Sequence, residues 1–323
     1  MEAGNPEEVY ERISAIAYPV FLTTTLTAHS ILIICAVFFS PKQMSILRFL
    51  LMKTSFLQVL VSLFLFYIQP RLLSGMSLDV PVYCYGMCRK LNNNMLCFAL
   101  YMFWQTFSLG VAISLTFTLY FKYHRLTSNE PLTRLRVAVS LFVAYIPFFI
   151  SMVCAVIITL RNSLPDVSAK NQRDEYTEMG KMTLGQLPNK VNFVMLALGI
   201  YVAPAVAMWF RWKSHEAMTE KIVGASPMLR FHAKTVMKGL TIQVISHFIF
   251  YIPMFSLYIY CIYTNSQIYF QQFFLTLSPN LTATVDPLIN LYYVVPYRNQ
   301  IRRLLGRRAL GAPVGVVSVT SNN

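Results

Sequence analysis

Residues 282–310 read TATVDPLINLYYVVPYRNQIRRLLGRRAL: an apolar run holding one acid and one proline, closed by Pro296-Tyr297-Arg298 and followed by arginines. Asp286 is the only formally charged residue between Gly239 and Tyr297. A charge inside such a span is expensive in lipid and marks a functional site or an interior polar contact. Thr282, Asp286, Asn290 and Tyr293 recur at i, i+4, i+8 and i+11, one face of a helix. Pro287 removes a backbone donor and frees the carbonyl of Ala283, so a kink is expected beside the acid. The moving-element reading assigns conformational coupling to Asp286, Pro287, Asn290 and Tyr293, with Pro253 in the preceding span. The competing reading is a hydrogen-bonded interior acid that holds a bundle together.

Working outward, the whole chain fits this solvent. Its 323 residues are 56% hydrophobic and 12% charged, with mean hydropathy +0.51. Soluble domains carry about a quarter charged residues, so the composition points to a polytopic membrane protein. The net charge of +14 sits between apolar spans rather than on a soluble basic face, and no nucleic-acid partner is expected. No secretory signal stands at the start: Met1 to Glu11 holds four glutamates and no basic residue.

A bilayer crossing takes about 20 apolar residues. Spans are expected near 13–39, 46–69, 94–120, 137–160 and 191–211. The stretch from Gly239 to Val285 is uncharged and 47 residues long. As one helix it would reach about 70 Å, so the chain must turn back within it. Thr264-Asn265-Ser266-Gln267 is the polar cluster placed to make that turn. The last spans are then 238–262 and 269–294. The expected fold is all-α, a single domain over residues 1–323 forming a seven-transmembrane helix bundle, with a basic tail at 297–323.

Loop charge sets the orientation. One side holds 18 Lys and Arg against three acids, the other nine against nine. The basic side is read as cytoplasmic, with the N-terminus outside and the C-terminus inside. On that inner side, Lys122, Arg125, Arg230, Lys234, Lys238, Arg298, Arg302 and Arg303 form a cluster facing anionic lipid or a partner protein. Attraction to anionic lipid already accounts for most of it. Gly224-Ala225-Ser226-Pro227 reads as a helix stop followed by a Ser cap and a Pro at the first helical position.

The six cysteines form no CxxC pair, and the five histidines stand apart from one another, so no metal and no cofactor is expected. Cys84, Cys88 and Cys97 face the oxidising side, which allows a disulfide in that hairpin. Spacing leaves the pairing open, with Cys88–Cys97 preferred. In the outer helix halves, Tyr101, Trp104, Gln105, Tyr258, Gln271 and Gln272 are the candidates to line a ligand cavity. The alternative for each is plain packing or an interfacial aromatic belt.

Further residues carry a resemblance. Ile68-Gln69-Pro70-Arg71, Gly86-Met87-Cys88 with Cys97 nine residues on, Leu119-Tyr120-Phe121-Lys122-Tyr123, Asp286-Pro287 and Pro296-Tyr297-Arg298 resemble nematode serpentine chemoreceptors of class Srd. Met87 stands where that class usually has proline, and Lys122 where an arginine is common. No Asp-Arg-Tyr follows the third span, and Asn290 occupies the tyrosine position of the rhodopsin-like Asp-Pro motif. The resemblance implies a chemosensory receptor of the G-protein-coupled type, active in olfaction. It would bind a small-molecule odorant and signal through a heterotrimeric G protein from the plasma membrane, in sensory-neuron cilia. The rival is a transporter or ligand-gated channel, but the chain has no internal repeat and one firm intramembrane acid. An enzyme is not expected, since no histidine box, paired acids or Gly-x-Ser-x-Gly stands in the spans.

Overall fold

A computed structural model describes residues 6–40, 45–73, 79–91, 93–127, 133–162, 177–222 and 227–304. Long apolar runs form helices because a chain in lipid must satisfy its backbone groups within each segment. Helix α1 (Pro6–Phe39) starts with proline at its first position and Glu7 and Glu8 beside it, where the missing donor costs nothing and the dipole favours acids. Helix α2 (Ser45–Ile68) stops at Gln69, which takes a left-handed conformation ahead of Pro70. Helix α3 (Asn94–Thr127) is the central column, packed against α2 and against both helices described next.

The next three spans are each interrupted near a proline, whereas the last long helix runs unbroken through Pro279 and Pro287. Helices α4 (Arg134–Ala144) and α5 (Ile146–Asn162) meet at 45° around Tyr145, just ahead of Pro147. The Tyr145 hydroxyl reaches back to the Gly110 carbonyl at 2.9 Å and to Ser114, fixing the bend against α3. Helix α6 (Leu187–Ala197) passes through a π turn at Leu198–Val202 into α7 (Ala203–Ile222), a widening that sits just before Pro204. Helix α8 (Pro227–Phe250) breaks at Tyr251 and resumes as α9 (Ile252–Thr264), with Pro253 at its second position. Asn265, in the left-handed region, turns the chain into α10 (Tyr269–Tyr293) and then α11 (Val295–Leu304). Of the expected cap, residues 224–226 lie outside the described residues, and Pro227 does open α8.

Among the described residues five spans are long and apolar enough to cross a membrane, namely α1, α2, α3, α6–α7 and α8–α9, and the bent α4–α5 pair makes six. Helix α10 falls short because its buried face is polar: Gln271, Gln272, Thr276, Ser278, Asn280, Thr282, Asp286 and Asn290. It packs against α1, α2 and α8, with α1 also against α2, so the last long helix closes on the first. Large apolar side chains such as Phe38, Phe56, Phe142 and Val153 remain exposed on the outside, the surface a lipid solvent would cover.

The all-helical expectation needs one correction. Segments 70–90 and 161–190, read as loops, contribute strands β1 (Pro70–Leu72), β2 (Asp79–Cys84) and β3 (Thr177–Thr183). They form an antiparallel sheet in the order β1-β2-β3, with a bulge between Val82 and Tyr83. Val80, Val82 and Cys84 alternate onto the buried face, the period a strand requires. Cys88 is bonded to Cys97, tying the short turn Met87–Leu91 to the start of α3. Cys84 is left out: its buried thiol points at the Ile68 carbonyl (3.0 Å), and burial pushes its pKa up to about 11. Replacing Cys97 with serine should lower unfolding stability by about 2.5 kcal/mol from loop closure alone. Thermal denaturation of the purified chain with and without reductant would check this, since reductant should destabilise the wild type and leave Cys97→Ser unchanged.

Candidate functional site

The sheet roofs a cavity of about 90 Å³ enclosed by α3, α6, the π turn, α8, α9 and α10. Tyr101, Trp104, Gln105 and Tyr258 line it; so do Met182 from β3 and Leu72 from β1. On one wall a polar relay crosses three helices. Ser151 donates to the Asn192 side-chain oxygen (2.7 Å), the Asn192 amide donates to Gln105 (3.2 Å), and the Gln105 amide donates to the Tyr101 hydroxyl (2.7 Å). The Tyr101 hydroxyl in turn points at the Met182 sulfur at 3.7 Å. The rest of the lining is mostly apolar or aromatic, Phe193, Phe255 and Leu275 among it, with Ser108, Asn189 and His247 as further polar members and, among the described residues, no Asp, Glu, Lys or Arg.

Gln271 and Gln272, expected among the lining, stand apart from the cavity. Both are fully buried near the start of α10, and Gln272 accepts a hydrogen bond from Arg71 Nε at 3.0 Å. Arg71 lies between that amide, the Phe273 ring (4.7 Å) and Glu11 (3.7 Å), so this corner is spent on a buried cation. Sequence reasoning missed Asn192 and His247, which do line the cavity. Asn192 sits four residues beyond Pro188 in an apolar helix, and its buried amide was a signal that helical periodicity did not rank.

Below the cavity, Asp286 is buried on α10 and accepts a hydrogen bond from the Gln243 amide on α8, with Gln58 and the Lys122 ammonium close by. Asn290 donates to the Asp286 backbone carbonyl at 3.0 Å. The Ala283 carbonyl that Pro287 frees is taken by His29 Nε2 at 3.0 Å, from α1. Carbonyls accept, so Nε2 carries the proton there. Tyr293 is half-buried against Gly239, whose missing side chain leaves room for its ring. Pro253 is exposed on α9 and does not join this group.

The cytoplasmic cluster divides. Lys122, expected to face lipid or a partner, is half-buried and lies within electrostatic reach of Asp286. Lys238 and Arg303 are exposed, while Arg298 and Arg302 are half-buried on α11. Tyr297 anchors that helix through a 2.7 Å hydrogen bond with Ser40 at the end of α1. The side chains of Arg125, Arg230 and Lys234 lie outside the described residues. Among the described residues no group of three or more His, Cys, Asp or Glu is placed to hold a metal.

This arrangement has close relatives. The family model for the serpentine type 7TM GPCR chemoreceptor Srd matches residues 14–303. Serpentine receptor class delta-40 of Caenorhabditis elegans is 29% identical over 301 residues, covering 91% of this chain and 93% of that protein. Class delta-44 is 27% identical over 91% and 92% of the two chains, and class delta-47 is 25% identical over 96% and 99%, both from the same organism. A multi-pass helical bundle matched almost from end to end by this model belongs to the Srd family of serpentine chemoreceptors, a receptor family and not an enzyme family.

Proposed function

We propose that the chain is a chemosensory receptor of the plasma membrane that crosses seven times, with the N-terminus outside and the C-terminus cytoplasmic. A small molecule binds in the roofed cavity, and the cytoplasmic ends of the helices engage a heterotrimeric G protein. The enclosed cavity with a few placed polar groups is the observation that carries this reading. The seven spans count α4–α5 as one and α10 as the last. By family likeness the site of action is a sensory cilium.

A route from ligand to cytoplasm follows from the contacts. His247 lines the cavity and bonds the Gln243 backbone carbonyl at 2.8 Å, and the Gln243 side chain holds Asp286. Gln243 of α8 therefore joins the cavity residue His247 to Asp286 on α10, next to Pro287. A ligand moves this pair of helices only by binding the two arrangements with different affinity. Arg298, Arg302, Arg303 and Lys238 are assigned to the G protein or to anionic lipid headgroups.

Expression in a reporter cell with a panel of volatile and water-soluble odorants tests the reading. Ala112→Phe, which fills the cavity from α3, should abolish a wild-type response while surface level stays unchanged. Ion currents that persist without any G protein would overturn the receptor reading in favour of a channel. An N-terminal tag reached by antibody only after permeabilisation would overturn the orientation.

A further inference from the structure

Two residues that line the cavity each bury a polar atom with no hydrogen-bond partner among the described residues: Trp104 Nε1 and His247 Nε2. Trp104 is 6% exposed and His247 7%, and both residues line the cavity. Leaving such groups unpaired in an apolar interior is costly, and a ligand that reaches them relieves that cost. Their chemistry is opposite. The indole N–H can only donate. The imidazole is fixed by its other nitrogen: Nδ1 lies 2.8 Å from the Gln243 carbonyl, which can only accept, so Nδ1 carries the proton. In the neutral ring Nε2 is then an acceptor. His247 is held in this orientation by a parallel stack on Tyr251, 5.7 Å between centroids at 2°.

Resting on the receptor reading above, we propose that the ligand is a compact uncharged molecule with a carbonyl-type acceptor at one end and a hydroxyl or N–H donor at the other. The acceptor takes the Trp104 proton and the donor is received by His247 Nε2. With no Asp, Glu, Lys or Arg in the lining, a carboxylate or ammonium would enter without a counter-charge and pay its full desolvation. The cavity, of about 90 Å³, favours a small molecule. Small hydroxy ketones and hydroxy amides meet all of these conditions. Aldehydes and simple ethers offer an acceptor for Trp104 but no donor for His247, and alkanes offer neither.

The discriminating measurement is direct binding to the full chain in nanodiscs by ligand-observed NMR. The probes are small uncharged hydroxy ketones and hydroxy amides, diacetone alcohol among them. Each is paired with its methyl ether, its deoxy ketone, its carbonyl-free alcohol and a carboxylate of matched length. The wild type should bind the hydroxy carbonyl members about tenfold or more tighter than their methyl ethers and carbonyl-free partners. His247→Asn keeps an amide donor near Gln243 but removes the Nε2 acceptor, and should erase the hydroxyl-over-methoxy preference alone. His247→Gln, which returns an acceptor oxygen near the Nε2 position, should restore part of it. Trp104→Phe should erase only the preference for the carbonyl. Equal binding of ethers and alcohols, preferences that survive these substitutions, tighter carboxylates, or no binding by any probe to protein with an unchanged melting temperature would overturn the proposal. Binding with the expected pattern but no response in reporter cells would instead defeat the receptor reading and leave the ligand class standing.

Discussion

Replacing Gly86 with alanine is expected to cost roughly 3 kcal/mol or more and to empty the cell surface of receptor. A Cβ at this position would stand 2.7 and 2.8 Å from the carbonyl carbon and oxygen of Ile68, and closer still to the Tyr67 carbonyl. These are backbone atoms at the end of α2, so no rotamer change relieves the overlap. Gly86 also donates its own N–H to the Ile68 carbonyl at 2.9 Å, and Tyr85 donates to Gln69 at 3.2 Å. Two neighbouring hydrogen bonds therefore hold the hairpin flat against the helix end, and only a residue without a side chain fits. Surface labelling and the melting temperature in detergent would check the loss. An alanine variant with wild-type stability would mean that the close approach between hairpin and helix is not present in the folded protein. The neighbouring Met87, half exposed, should by contrast accept proline or alanine with little change.

Asp286→Leu is the second large effect. It removes the acceptor of the buried Gln243 amide and the acid facing the Lys122 ammonium in one step. Leaving the buried Gln243 amide without its charged acceptor typically costs about 1–3 kcal/mol, and the half-buried Lys122 loses its nearby counter-charge as well. Asp286→Asn preserves an oxygen for Gln243 and should cost much less. Adding Lys122→Met to Asp286→Leu should recover part of the stability, since the stranded ammonium is then gone. A double-mutant cycle on melting temperature measures this coupling directly. If the double variant is no more stable than Asp286→Leu alone, Lys122 does not face Asp286. A further consequence concerns signalling: Asp286→Asn should fold and reach the surface yet respond weakly, if the acid moves with α10 as the receptor reading holds.

The seventh helix was legible because its signals are local. The i, i+4, i+8 spacing of Thr282, Asp286 and Asn290 placed them on one face, and all three are buried. The carbonyl freed by Pro287 could be named from the chain, but its partner could not: His29 lies 254 residues away and reads only as a lone histidine in an apolar run. The sheet was missed for a related reason. Strand β2 shows only three inward positions around Pro81, and β3 has Thr, Glu and Lys among its residues, so neither rises above loop composition. Gln271 and Gln272 were grouped with Tyr101 by depth in the bundle, yet depth says nothing about which side of a helix faces the cavity. His247 carried no sequence signal at all until α3 and α8 were seen to enclose the same space.

The polar inner face of α10 has a consequence for how the protein is made. In the seven-span reading this helix leaves the ribosome last and is the least able to enter lipid unaided. Its partners His29, Ser62 and Gln243 belong to α1, α2 and α8, all synthesised earlier. Membrane entry of α10 thus waits on a nearly finished assembly that offers its amides and acid a place to go. Premature stop codons before residue 269 would leave those earlier helices with an open seam and their polar groups facing lipid. Biosynthetic quality control would see such a chain as incomplete, because the first helix and the last are each other's closing contact.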